Sequence, residues 1–468
     1  MTKSSYGALN TRNVIIVACV ALIVLLGSVA IIVSSLVDTG EMGEREDILL
    51  KIEELGDTDL GHKTVAEHIL EYGIGGFDGG KLRRVEAYFS DKYLNELPAV
   101  GVMAKQTAEL FMTYFYDRVD VTDKEQLTAA LLNCYTEATG DKYAVYRTVD
   151  ELREFDEDMS GSFIGIGVSV YQKIDPISGK VAEVRVNSVL GGSGAATAGI
   201  QTNDLIVAVD GTPIGDFDSG SLIRAIRGEA GTTVDITVLR GGAEITLSCE
   251  RRRVVDLTVL CDVRDGIAYI TVTTFKSNTP ELFAAALDKA GREGARGIVF
   301  DLRDNPGGYL DSVLEMLDML VGSGQRLASY VEADGRETVY KSSGSGTALS
   351  IPAVVIVNEN TASAAELFAA ALADWNERGV LAARIVGETT YGKGVMQKTY
   401  TLYDGSSITL TTAHYNPPSG KNYDGKGVVP SIKFELDDGS DKGWLEDAKN
   451  ALLAMMTLPP ASNPNTAA

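Results

Sequence analysis

The chain is poor in the residues from which metal centres, disulfide frameworks and histidine-based sites are made. Its 468 residues include four cysteines and three histidines. Cys19, Cys134, Cys249 and Cys261 stand at no spacing that a metal centre or a disulfide framework uses, so the sequence calls for no metal and no cofactor. Cys249 and Cys261 flank a domain junction and are the one pair an oxidising compartment would close. Positive charge is also short. With 42 Lys and Arg against 65 Asp and Glu the net charge is −23, which argues against nucleic acid or anionic lipid as a partner.

Apolar runs of membrane length are confined to residues 14 to 37, VIIVACVALIVLLGSVAIIVSSLV. The run is uncharged, long enough to span a bilayer as a helix, and has no clear small-residue cleavage site, so an uncleaved anchor is expected. Lys3 and Arg12 precede it, while Asp38, Glu41, Glu44, Glu46 and Asp47 follow. The positive-inside rule then leaves residues 1 to 13 as a cytoplasmic tail of a single-pass cell-membrane protein, with everything after residue 38 outside. The expected chemistry works without cytosolic nucleotides. A nucleotide site is missing in any case: Gly387 to Lys393 matches the opening of a phosphate-binding loop, but Gly394 stands where the Mg²⁺-binding Ser or Thr belongs, and strands follow instead of a helix.

Residues 38 to 157 read as a mainly helical region with looser stretches at GIGGFDGG (73 to 80) and LPAVG (97 to 101). Tyr114, Phe115, Tyr116, Tyr135, Tyr143 and Tyr146 make its second half aromatic, as helix packing or an arm for a homodimer or a substrate would. From residue 160 to 253 short β-rich runs are punctuated by glycine, with one amphipathic helix at SLIRAIR (221 to 227). The amides of Gly165, Ile166, Gly167 and Val168 are placed to hold a terminal carboxylate, and the strand that follows to pair with a peptide backbone. Residues 254 to 458 read as an α/β core, and 459 to 468 as a flexible tail.

Within that core, Val354 to Val357 reads as a buried strand and NENTASAAELFAAALADW (358 to 375) as a turn and a helix. Ser363 falls in the first helical turn, where unpaired N–H groups and the positive dipole end would stabilise an oxyanion. Ser363 and Glu366 also form the S-x-x-E pattern of a capping box, which needs no chemistry. DLRDNPGG (301 to 308) reads as a polar turn after a strand, its paired glycines offering free N–H groups. GETTYGKGVMQ (387 to 397) puts Lys393 in a glycine turn between strands, with Gln397 four residues on. A lysine desolvated there can act as base for a serine. His414, with Asp301 or Asp304, is the competing base of a Ser-His-Asp arrangement.

Residues 162 to 253 resemble a PDZ domain, on GGSGAATAGIQTNDLIVAVDGTPI (191 to 214). Residues 120 to 434 resemble the C-terminal processing peptidases, or tail-specific proteases, on GSFIGIGV (161 to 168), DLRDNPGG, NTASAAE (360 to 366), GETTYGKGVMQ and PSG (418 to 420). The resemblance implies an α/β multidomain protein with a ClpP/crotonase-like core, a serine endopeptidase without cofactor whose PDZ domain takes proteins or peptides with exposed C-termini. It puts the nucleophile on Ser363, the general base on Lys393 and an orienting glutamine on Gln397. The oxyanion donors fall on the N–H of Ala364 and that of Gly307 or Gly308. Arg227 resembles a PDZ arginine that couples peptide binding to the protease body. WNERGVLA (375 to 382) is longer than the family's usual connection, and Ser431 follows Pro430 where Asp is common. The rival from another class is a catalytically silent surface PDZ scaffold.

Overall fold

The computed structural model describes residues 41–55, 63–175, 180–344, 349–433 and 441–457. The expected anchor at 14 to 37 and the tail at 459 to 468 lie outside them. Among the described residues no helix is long and apolar enough to cross a membrane.

Two compact units divide the chain. The first runs to Leu82 and takes in Pro98–Ala138. Its helices Glu41–Leu55, Val65–Glu71, Val100–Tyr114 and Lys124–Ala138 bury Ile52, Ile69, Phe111, Leu131 and Tyr135 almost completely. Tyr135 is therefore a packing residue. Arg83–Leu97 and everything described from Thr139 onward form the second unit. The helical region expected over 38 to 157 thus splits, and its last part belongs with the domains that follow.

In the second unit, β1 (Val145–Arg147) precedes the helix Val149–Met159, which opens on a capping box of Thr148 and Glu151. After β2 (Ser162–Gly165) comes a sheet of β3 (Val168–Ile174), β4 (Val181–Val189), β5 (Leu205–Val209), β6 (Thr212–Pro213), β7 (Thr233–Arg240) and β8 (Ala243–Glu250). Its order is β3-β4-β5-β7-β8 with β6 on β5, so β3 is an edge. Val184, Val186, Ile206, Ile236 and Val238 fill the core beneath the helix Ser219–Ile226. β9 (Arg252–Val255) returns to pair with β2, so the chain enters and leaves this domain side by side.

The last domain starts with β10 (Val259–Arg264), β11 (Ile267–Val272) and β12 (Gly297–Asp301), followed by the hairpin β13 (Arg326–Glu332) and β14 (Glu337–Lys341). Next come β15 (Ala353–Val357), β16 (Ala383–Gly387), β17 (Val395–Thr401), β18 (Ser407–Asn416) and β19 (Ile432–Lys433). Its main sheet has the order β10-β11-β12-β15-β16-β19, parallel from β11 onward. β12 and β15 are buried along their whole length because both faces are covered. Ile298, Phe300, Val355 and Val357 meet Phe283, Leu317, Phe368 and Trp375 of three helices on one side. Val299, Val354 and Ile356 meet Ala448 and Leu452 of the helix Asp441–Thr457 on the other. A second sheet, β1-β18-β13-β14 with β17 on β18, completes the domain. Cys249 and Cys261 stay free: Cys249 is buried in the PDZ-like core and Cys261 lies on the edge strand β10.

The register aligns the carboxyl ends of β12, β15 and β16, with Asp301 beside Ile356 and Val357 beside Gly387. From these three ends issue the DLRDNPGG turn, the Ser363 turn and the Lys393 loop, at the place where open α/β sheets carry their sites.

Candidate active site

Ser363 has φ 56° and ψ −121°, a left-handed backbone that an ordinary cap does not need and that non-glycine residues adopt at a cost. It heads the helix Ala364–Glu377. The turn is held from the DLRDNPGG side by Asn305, fully buried: its carbonyl accepts the Ala362 N–H at 2.9 Å, its Nδ2 donates to Val272 O at 2.8 Å, and its Oδ1 accepts the Gly307 N–H at 2.8 Å. Gly307 must be glycine, since a Cβ there would lie 2.7 Å from the Ser363 Cβ. β-bridge bonding uses Gly307 O and the Tyr309 N–H on either side of Gly308, both to Phe275. The Gly308 N–H therefore faces the other way. No hydrogen bond among the described residues uses the N–H of Gly308 or Ala364.

Glu366 joins the serine to the lysine. Its carboxylate, wholly buried, accepts the N–H of Ser363 at 2.8 Å, Lys393 at 2.8 Å and Gly392 at 2.7 Å, and the hydroxyl of Thr390. Burial pushes its pKa up against these donors. Tyr415 adds a second tie, its hydroxyl donating to Lys393 O at 2.7 Å, while the Tyr423 hydroxyl donates to Ser363 O at 3.4 Å. Burial raises the Tyr415 phenol well above its ordinary value, with the Ser363 hydroxyl among its neighbours.

Lys393 is half-buried, and burial lowers its pKa; Lys142 pushes the same way, whereas Asp141 and Glu366 pull it back up. Its amine stands 4.4 Å from the centre of the Tyr143 ring. A cleft of about 320 Å³ opens in front of Ser363, lined by Gly308, Ala364, Leu310, Tyr330, Tyr340 and Met396 among others. Gln397 is on its wall, but its amide nitrogen donates to Thr411 Oγ1 at 3.2 Å and no bond to the Lys393 amine is made. A register shift between Met396 and Gln397 turns that side chain toward Thr411.

His414 is not brought to the serine. Its strand neighbour Tyr415 lines the cleft, so His414 projects from the opposite face of β18. Asp301 is engaged by Arg303 at 2.6 Å, and Asp304 by Asn358 and Asn360.

In the smaller domain a groove of about 570 Å³ runs between Ser162–Ile164 of β2 and Ile223, Arg224 and Arg227 at the end of the helix Ser219–Ile226. Arg153 and Glu154 of the helix Val149–Met159 close its side, with Glu154 3.2 Å from Arg224. The Arg227 guanidinium lies 4.6 Å from the centre of the Phe163 ring. Of the four loop residues, Gly165 is beside Arg227, Val168 begins the edge strand β3, and Gly167 takes φ 78°. Ile166 turns its side chain into the domain core at 1% exposure, so the groove walls come from neighbours of this loop instead.

The family model for peptidase family S41 matches residues 266–434, and that for the PDZ domain residues 162–250. The carboxy-terminal processing protease CtpA of Bacillus subtilis is 32% identical over 335 residues, 71% of this chain and 69% of that protein. The chain belongs to peptidase family S41. A probable CtpA-like serine protease of Staphylococcus haemolyticus is 33% identical over 310 residues, 66% of this chain but 60% of that protein's length. Among solved structures, the photosystem II D1 C-terminal processing protease is 25% identical over 83% of this chain and 97% of its own, with a TM-score of 0.46. S41 membership supports a serine-type peptidase over a silent scaffold.

Asp141, Tyr143, Asn305, Tyr415 and the joining role of Glu366 escape a reading of the sequence alone. Glu366 had a signal, as the last residue of the S-x-x-E pattern, but a capping box accounts for it locally.

Proposed function

We propose that this protein is a serine endopeptidase that works through Ser363 and Lys393, selects substrates by their C-termini at the PDZ groove, and is held to the cell membrane by residues 14 to 37 with its catalytic part outside. The observation that carries the catalytic part is the Glu366 carboxylate, which fixes the backbones of Ser363 and Lys393 to one point.

Lys393, whose charged form burial disfavours, takes the Ser363 hydroxyl proton in its neutral form as the oxygen attacks a substrate carbonyl. The N–H groups of Ala364 and Gly308 stabilise the resulting oxyanion; Gly307 is unsuited because its N–H is given to Asn305. The Lys393 ammonium then passes its proton to the leaving amine. An acyl-enzyme remains, and water activated by the same amine hydrolyses it. The PDZ groove is lined by Arg153, Arg224, Arg227 and Arg253 and by Glu154, Glu157 and Glu229; with Arg224 given to Glu154, Arg227 and Arg253 are left to meet a chain-terminal carboxylate.

The test incubates the detergent-solubilised full chain with a protein bearing an apolar C-terminal tail, as free acid and as amide, and reads fragments by mass spectrometry. Cleavage of the acid, slowed for the amide and lost in Ser363→Ala, is expected. Equal rates for acid and amide would sink C-terminal selection, and cleavage surviving Ser363→Ala would sink the serine mechanism.

A further inference from the structure

The amine of a catalytic lysine sits at the end of a flexible stem and must be aimed. Among the described residues no hydrogen bond or ion pair holds the Lys393 amine, and the aromatic face 4.4 Å away belongs to Tyr143, 250 residues earlier in the chain. We propose that Tyr143 is a positioning residue of this peptidase: its ring aims the Lys393 amine and shields it from water, and Asp141 clamps it in place. The proposal rests on the Ser-Lys reading above.

The clamp is explicit. Asp141, 7% exposed, accepts the Thr411 N–H at 2.8 Å, the Thr411 hydroxyl at 2.9 Å and the Tyr143 N–H at 3.1 Å. Two residues after Tyr143, β1 pairs with β18 from Val145 to Arg147. The Tyr143 segment is thereby stitched to β18 on both sides, and β18 also carries Tyr415, which grips Lys393 through its carbonyl. One strand thus sets both ends of the lysine. Thr411 further receives the amide of Gln397, which acts on the clamp and not on the amine.

The ring serves two moments of the cycle. Its apolar bulk keeps water from the resting amine, favouring the neutral base, and its face attracts the ammonium formed when the Ser363 proton arrives. Lys142, 4.8 Å from the same ring, opposes a second charge there, while Asp141 and Glu366 favour it. The Tyr143 hydroxyl has the Lys142 amine as its polar neighbour, whereas the contact with the Lys393 amine is made by the ring, so the ring and not the hydroxyl carries the function.

Tyr143→Phe and Tyr143→Ala in the full chain distinguish these parts. Peptide cleavage is measured against pH as kcat and KM, beside the rate at which a small fluorophosphonate labels Ser363. Tyr143→Phe should stay within about twofold of wild type. Tyr143→Ala should lose about tenfold or more in kcat and in labelling with KM little changed, and its acid limb should move to higher pH, because water admitted to the ammonium restores the ordinary lysine. An unmoved limb with unchanged kcat in Tyr143→Ala, or a Tyr143→Phe enzyme as damaged as Tyr143→Ala, would overturn the proposal. If Tyr143→Ala does not fold, Tyr143→Leu fills the space without a π face, and wild-type kcat in it overturns the proposal equally. Lys393→Ala separates the two readings: if it still cleaves, the Ser-Lys mechanism itself has failed, whereas a dead Lys393→Ala beside a normal Tyr143→Ala removes only Tyr143.

Discussion

The cleft and the PDZ groove are built on opposite terms. Around Ser363 the parts are backbone and fully buried side chains, with Asn305 and Glu366 both at 0% exposure and their polar atoms spent on named partners. Around the groove the charges sit on long exposed side chains, among them Arg153, Glu157, Arg224, Glu229 and Arg253. Chemistry needs dipoles that do not reorganise when charge develops. Capture of varied chain ends tolerates, and gains from, groups that adjust. Damage to the cleft should therefore be steep and all-or-none, and damage to the groove shallow and graded.

The steepest case is the reacting pair. Ser363→Ala and Lys393→Ala should each lower cleavage by about 10⁴-fold or more, with the double variant hardly worse, since groups acting as one unit are not additive. Their melting temperatures should stay near wild type. Additive losses in the double variant would show that the two act separately, and the contrast between regions would lose its main support.

Glu366 comes next. Glu366→Ala leaves the buried N–H groups of Ser363, Gly392 and Lys393 without an acceptor, so about 3 to 5 kcal/mol of stability should go, read from urea unfolding. Glu366→Gln keeps one oxygen and should fall between. If either variant unfolds like wild type, the cleft is less tightly held than described.

A smaller effect follows from pH. Burial lowers the Lys393 pKa below 10.5, so between the lowered value and 10.5 the unfolded chain binds more protons than the folded one. This group's contribution therefore makes stability rise with pH across that window and stay flat at its least favourable level below it, where the ammonium is held in its pocket. Lys393→Met should melt above wild type at low pH, and the gap should close toward pH 10.5. A gap that is flat with pH would mean an ordinary, hydrated lysine.

The shallowest change is expected at Arg227. Losing its contact with Phe163 removes about 0.5 to 1 kcal/mol. Arg227→Ala should raise KM for a C-terminal peptide roughly two- to fivefold and leave fluorophosphonate labelling of Ser363 unchanged. Loss of labelling would place Arg227 in the cleft's machinery and erase the distinction between the regions.

What the sequence made legible is local. The run Val354 to Val357, the serine turn and its alanine-rich helix appear as β15 and the helix Ala364–Glu377, because an unbroken apolar run and a helical repeat declare themselves within a few residues. Among the β-rich runs between residues 160 and 253, VAEVRVNSV is β4 from end to end. Strands β8 and β9 carry more polar, partly exposed residues and a weaker pattern. Asp141 and Tyr143 could not be read at all. Their contacts with Thr411 and Lys393 span 250 residues or more, and a tyrosine in an aromatic helical stretch looks like packing. Gln397 went to Thr411 because one shift in strand register redirects a side chain, which spacing along the chain does not reveal.

The stretch from Asp141 to Met159 touches the site's lysine at one end and the wall of the PDZ groove at the other, although it precedes the PDZ domain in the chain. The interchangeable cassette is therefore not the domain itself. A graft cut at residues 160 and 253 would import a new groove but keep the old Glu154 beside it, unmatched to the incoming equivalent of Arg224. A graft beginning at Asp141 would carry its own groove wall, yet bring a foreign clamp to Thr411. Neither cut is neutral, so recognition and chemistry in this chain are inherited together.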